Sequence, residues 1–60
     1  MKILRKYKGE INAKWEEITI EKTLELTEGS GYWKENTVED MLKDGITVWT
    51  PWAFYKKEVV

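Results

Sequence analysis

Neither a cysteine nor a histidine occurs in this chain, and the two absences together narrow how it can fold. Without cysteine no disulfide can staple the structure. Without either residue, the thiolate and imidazole ligands of a zinc or copper site are missing, so no metal and no cofactor are expected. At 60 residues the chain lies near the size at which one hydrophobic core barely suffices. Its stability must come from packing, from self-association, or from both, and residues 1–60 are expected to form a single small domain.

Aromatic side chains are the most effective material available for that purpose, since each one removes roughly 150–250 Å² from water when buried. The chain holds four tryptophans, three tyrosines and one phenylalanine. Half of them fall in "TVWTPWAFYKK", residues 47–57, as Trp49, Trp52, Phe54 and Tyr55. If residues 46–57 run extended in one phase, successive side chains point to opposite faces. The even face then reads Ile46, Val48, Thr50, Trp52 and Phe54, as a core face should. The odd face reads Thr47, Trp49, Pro51, Ala53 and Tyr55, with hardly a charge, although a sheet covered by helices on one side should be polar on the other. Unless Pro51 reverses the phase, Trp49 and Tyr55 have no place within a monomer. The expected contact surface is therefore Trp33, Trp49, Trp52, Tyr55 and Tyr32, of residue types enriched at interface hot spots. A second small core beneath the loops would account for the same aromatics without a partner.

"KILRKY" reads as a strand, with Ile3 and Tyr7 on one side and Leu4 on the other, ended by Gly9. Residues Glu10 to Ile18 show no clean period and read as a loop with a short extended piece at most. In "ITIEKTLELTEG" two periods compete. Ile18, Ile20, Leu24 and Leu26 alternate as in a strand, while Thr19 as N-cap, the helix-forming Glu, Lys and Leu residues, and Gly29 as a stop favour a helix. An internal echo decides for the helix: "TIEKTLELTEG" resembles "TVEDMLKDG", where Thr37 and Asp40 stand in approximate capping-box positions and Gly45 closes the segment. After Gly45 the chain turns extended, and Pro51 marks a tight hairpin or a kink in an edge strand. The sum is a small α+β domain: an antiparallel sheet of about three strands with two short helices on one face.

Charge is unevenly placed behind a formal net charge of -1. Residues 1–8 carry Lys2, Arg5, Lys6 and Lys8 and no acid, residues 16–44 hold nine acids against three lysines, and Lys56 and Lys57 restore positive charge near the end. The two ends of the chain can thus meet as one basic edge, and lysines on a sheet edge also guard against aggregation. No apolar run reaches the roughly 18–20 residues a membrane-spanning helix needs, and "MKILRKYKGE" lacks the apolar stretch of a signal peptide. A soluble, cytoplasmic protein is expected.

Enzymatic activity is not expected. Histidine and cysteine are absent as base and nucleophile, and the carboxylate pairs Glu16 with Glu17 and Glu39 with Asp40 fall on what read as solvated helix faces or loops. The only serine, Ser30, sits between two turn glycines, and no phosphate-binding or EF-hand loop is spelled out. A nucleotide-like ligand held between subunits is an alternative, with Lys34, Arg5, Lys6 and Lys56 as candidate anion contacts and the glycines of "GSGYWKENT" permitting an anion-cradling backbone. A nucleic-acid-binding accessory is a further alternative, disfavoured because a domain of net charge -1 is a poor general DNA binder.

The ending "TVEDMLKDGITVWTPWAFYKK" resembles short accessory proteins encoded by phages and prophages of Gram-positive bacteria. The resemblance implies a small anti-defence or host-takeover protein that binds and blocks a host protein in the host cytoplasm. With it goes the leading expectation, a non-enzymatic interaction module acting as a homo-oligomer.

Overall fold

The computed structural model describes residues 2–33 and 37–58, and all statements below concern these residues. The chain forms β1 (Ile3–Tyr7), β2 (Glu16–Ile18), α1 (Ile20–Thr27), α2 (Val38–Lys43), β3 (Val48–Trp49) and β4 (Ala53–Lys57). The fold is a small α+β one, an antiparallel sheet of four strands in the order β2-β1-β4-β3 with two helices. About three strands were expected. The additional one is β2, which has only three residues and pairs Glu16 and Glu17 opposite Arg5 and Leu4.

The expected basic edge lies instead at the centre of the sheet. β1 and β4 are the two inner strands, paired from Ile3↔Lys57 to Tyr7↔Ala53. The outer strands are the two shortest, β2 and β3, and short edge strands offer an incoming chain little to pair with.

Cross-strand register settles which residues share a face. Ile3 stands opposite both Ile18 and Lys57, Arg5 opposite Tyr55, Tyr7 opposite Ala53, and Val48 opposite Tyr55. On this face Ile3, Val48, Ala53 and Tyr55 are buried together with Val38 and Leu42 of α2, and Ile18, Ile20, Leu24, Leu26, Trp33 and Met41 pack around them. The opposite face carries Leu4, Lys6, Trp49, Phe54 and Lys56 and has no helix on it.

The phase of the last hairpin differs from a single extended run. Thr50 N–H donates to Ala53 O at 2.9 Å, leaving Pro51 and Trp52 as the tip. Partners across this hairpin, Val48↔Tyr55 and Trp49↔Phe54, have opposite parity, so one even and one odd position share each face. Tyr55 is therefore core, only 4% exposed, and does not belong to the contact surface where the single-phase reading placed it. Trp52, which that reading placed among core positions, is 60% exposed at the tip. Phe54 looks away from the helices and is half-buried.

Both helices depend on their ends and on one buried stripe. Thr19 caps α1, its Oγ1 accepting from Lys22 N–H at 3.1 Å. Thr23 and Thr27 are fully buried within α1, and their hydroxyls donate to the carbonyls of Thr19 and Thr23 at 2.9 and 2.8 Å. This satisfies the polar groups that burial would otherwise strand. In α2, Val38 and Leu42, one turn apart, face the core. Thr37 precedes the helix with αR backbone angles and makes no side-chain cap, in contrast to the expected capping box. The other end follows the Schellman pattern, with Gly45 N–H donating to Leu42 O and Ile46 N–H to Met41 O, and with Gly45 at φ +83°. The Lys57 ammonium donates to Lys43 O at 2.9 Å, placing positive charge at the negative end of the α2 peptide array.

Candidate aromatic and cationic surface

Four of the five aromatics expected at a contact surface come together in space. Tyr32 meets the rings of Trp33, Trp49 and Trp52 edge-on at centroid distances of 6.4, 5.7 and 6.2 Å, and Trp33 meets Trp49 at 6.2 Å. Such T-shaped contacts suit the ring quadrupoles, since a positive edge approaches a negative face. Each partner comes from a different local structure: Tyr32 and Trp33 from the α1–α2 connection, Trp49 from β3, and Trp52 from the hairpin tip. Trp33 fixes the group in place, because its Nε1–H donates to Trp49 O at 2.7 Å while the indole also packs on the core. Tyr32, Trp49 and Trp52 remain 41%, 48% and 60% exposed.

The cluster continues across the uncovered sheet face. Phe54 is opposite Trp49 on one side and Lys6 on the other, and Trp15 stands one step beyond the last β1–β2 pair, Arg5↔Glu16. Trp15, Lys6, Phe54 and Trp49 therefore form a row crossing the sheet, roughly 14 Å long at the usual spacing of neighbouring strands. Lysines stand over its rings. The Lys8 ammonium lies 4.6 Å from the Phe54 centroid and 5.1 Å from that of Trp49, while Lys56 and Lys6 lie 4.2 and 5.8 Å from Trp15. An ammonium within about 6 Å of a ring is attracted by its quadrupole. The acids of this face gather at its far end, where Glu17 meets Lys2 at 3.7 Å and Glu58 N–H bonds to Lys2 O.

The candidate anion contacts are divided by the same register. Lys6 and Lys56 share the uncovered face, but Arg5 faces the helices. Its guanidinium lies 4.5 Å from the Tyr7 ring centroid and 3.6 Å from Glu16. Arg5 thus cannot act with Lys6 and Lys56 on one ligand. Lys34 and the rest of the segment 34–36 lie outside the described residues. Lys57, next to Lys56 in sequence, points to the helix side and is engaged at the end of α2.

Phe54, Trp15 and Lys8 are members of this surface that sequence reasoning did not select. Their signal was available in part: Lys8 continues the even positions of β1 after Lys6, and β1 was recognised as a strand. Trp15 stands out in the sequence as an aromatic on a segment that reads as a loop, but β2 has no visible alternation to assign it to a face. Elsewhere, a shallow depression at the junction of β2 and α1 is lined by Lys2, Glu17, Ile18, Thr19, Ile20 and Glu21, with no aromatic side chain. Among the described residues no three metal-ligating side chains gather, and no helix is long and apolar enough to cross a membrane. Comparison of the chain with protein-family models, with curated proteins and with solved structures found no match in any of the three.

Proposed function

We propose that this chain is a non-enzymatic binding module whose working surface is the uncovered sheet face together with the Tyr32, Trp33, Trp49 and Trp52 cluster at its β3 side. The observation that carries this reading is the one-sided gathering of aromatics. Six aromatic side chains, Trp15, Tyr32, Trp33, Trp49, Trp52 and Phe54, lie on or beside a face without helices, and four of them are more than a third exposed. A monomeric domain seldom leaves so much contiguous ring surface in water without a use for it. The host-protein target implied by the phage-type resemblance is one form of this proposal, with the exposed Trp52 as the anchor.

The test is a pair of variants on one fold. Trp52→Ala, at an exposed hairpin tip, should keep the circular-dichroism spectrum and melting midpoint of the parent and lose most of its binding. Glu25→Ala, on the exposed side of α1, should keep both. Binding retained both in Trp52→Ala with Tyr32→Ala and in Trp15→Ala with Trp49→Ala, each with the fold intact, removes the proposal.

A further inference from the structure

We infer that the uncovered sheet face is a platform for single-stranded nucleic acid, on which two or three bases stack across the row Trp15, Phe54 and Trp49 while Lys6, Lys8 and Lys56 meet the intervening phosphates. This rests on the binding-module reading and gives that module a partner.

The composition of the surface favours a strand over a protein. The buried centres of protein interfaces are enriched in aromatics but depleted in lysine. Here lysines are interleaved with the rings, three ammonium groups lying within 6 Å of the Trp15, Phe54 and Trp49 centroids. Either partner must move the ammonium groups off the ring faces; a protein would then bury those charges, whereas a strand offers a phosphate beside each stacked base to receive them. A single strand uses both, because each nucleotide offers a flat π-face and a phosphate, the two features a stacking platform with a cationic track recognises. The row of roughly 14 Å fits two or three splayed bases, the number usually held on a sheet face. A duplex buries its base faces and could engage only the lysines.

Net charge argued against nucleic acid at the level of sequence, and the fold changes the weight of that argument. The acids Glu21, Glu25, Glu28, Glu39, Asp40 and Asp44 belong to the helices and their C-terminal caps, on the other side of the sheet. Glu17 and Glu58 share the uncovered face but lie at its far end beside Lys2, so the part around Trp15, Phe54 and Trp49 is cationic although the whole chain is not. Both edge strands are short, and the Trp49 carbonyl on β3 is already bonded to Trp33, so the broad face is the more accessible surface.

The experiment titrates the protein into fluorescein-labelled ten-nucleotide oligo-dT and oligo-rU, read by anisotropy and by tryptophan quenching, beside a duplex and an abasic strand of the same length. Single strands should bind and quench, with a log–log salt slope of about -2 for three neutralised phosphates. Lys6→Gln with Lys56→Gln should bring that slope to about -0.7. Trp15→Ala should weaken binding roughly ten-fold and leave the slope unchanged. The charge-matched helix-side pair Lys22→Gln with Lys43→Gln should change nothing. Circular dichroism of each variant establishes that it is folded. Equal binding of the abasic strand or the duplex, or an equal effect of the helix-side pair, overturns the inference. So does a doubled solution mass that Trp15→Ala abolishes, because a second copy would then cover the face. If no oligonucleotide binds but Trp52→Ala still abolishes capture of a host protein, the inference falls and the binding module stands. If substitutions on this face leave every interaction unchanged, both fall.

Discussion

The indole Nε1–H of Trp33 donates to the main-chain carbonyl of Trp49 at 2.7 Å, tying the connection between the helices to the edge of the sheet. The bond occupies an acceptor that a pairing strand would require and holds Tyr32 against Trp49 and Trp52. Trp33→Phe keeps a ring on the core and removes the donor. It should lower stability by about 0.5–1.5 kcal/mol for the hydrogen bond, and further by the packing lost where the smaller ring no longer fills the indole's place on the core. Urea denaturation of the two proteins, compared at equal slope, measures the difference.

The hairpin depends on Thr50 in the same way. Its side chain is fully buried, and its Oγ1 accepts from Trp52 N–H at 3.2 Å and from Ala53 N–H at 3.1 Å. Trp52 lies at the exposed tip and water can replace the lost partner, but Ala53 is buried. Thr50→Val keeps the shape and removes the oxygen, and should cost about 1–3 kcal/mol. Thr50→Ser keeps the oxygen and should cost less. The order of the two urea midpoints is the decisive reading.

Gly45 ends α2 with φ +83°, where an added Cβ would meet no neighbouring atom within 4 Å. The penalty for a larger residue is thus a backbone one. Gly45→Ala should destabilise by about 1–2 kcal/mol, the cost of the left-handed conformation for an L-residue. Thermal denaturation should show a lower midpoint with no change in the folded spectrum.

Burial raises the Tyr55 phenol above its ordinary value of 10.0. The Arg5 guanidinium partly offsets this, and Tyr7 adds to it. The unfolded chain therefore releases this proton at lower pH than the folded one. The contribution to stability is present below about pH 10 and is lost as pH rises through the folded value. Tyr55→Phe should flatten the alkaline fall of the denaturation midpoint. The tyrosinate absorbance that Tyr55→Phe removes from the parent's titration should rise with a midpoint above the ordinary phenol value of 10.0.

Much of this architecture can be read from the residues, and the exceptions have definite causes. Gly45 was legible as a helix stop because no other residue suits that position so well, and Thr19 as an N-cap because its hydroxyl has a partner three residues on. β2 was not legible as a strand: Glu16, Glu17 and Ile18 show no alternation, and their pairing with β1 goes with cross-strand contacts of Glu16 to Arg5 and Glu17 to Lys2. The positive charge of β1 facing the acids before Thr19 was the available signal. The exchange of Tyr55 and Trp52 between core and surface follows from the two-residue tip at Pro51 and Trp52. A proline inside an extended run signals such a tip, but it does not state how many residues the tip contains, and parity depends on that number. For the candidate surface, the gathering of Tyr32, Trp33, Trp49 and Trp52 was expected from residue type alone. The row from Trp15 to Trp49 needed the register of four strands.

Six acids against Lys22 and Lys43 on the helices and their caps, and Lys2, Lys6, Lys8 and Lys56 against Glu17 and Glu58 on the bare sheet, give a nearly neutral molecule an electric dipole. In the field of a polyanion it turns sheet-first before contact, so its association rate should depend on ionic strength far more than a net charge of -1 suggests. In dilute buffer the same dipole favours a head-to-tail stack, the acidic back of one copy against the lysines of the next. Such a contact does not close on itself, and moderate salt should dissolve it.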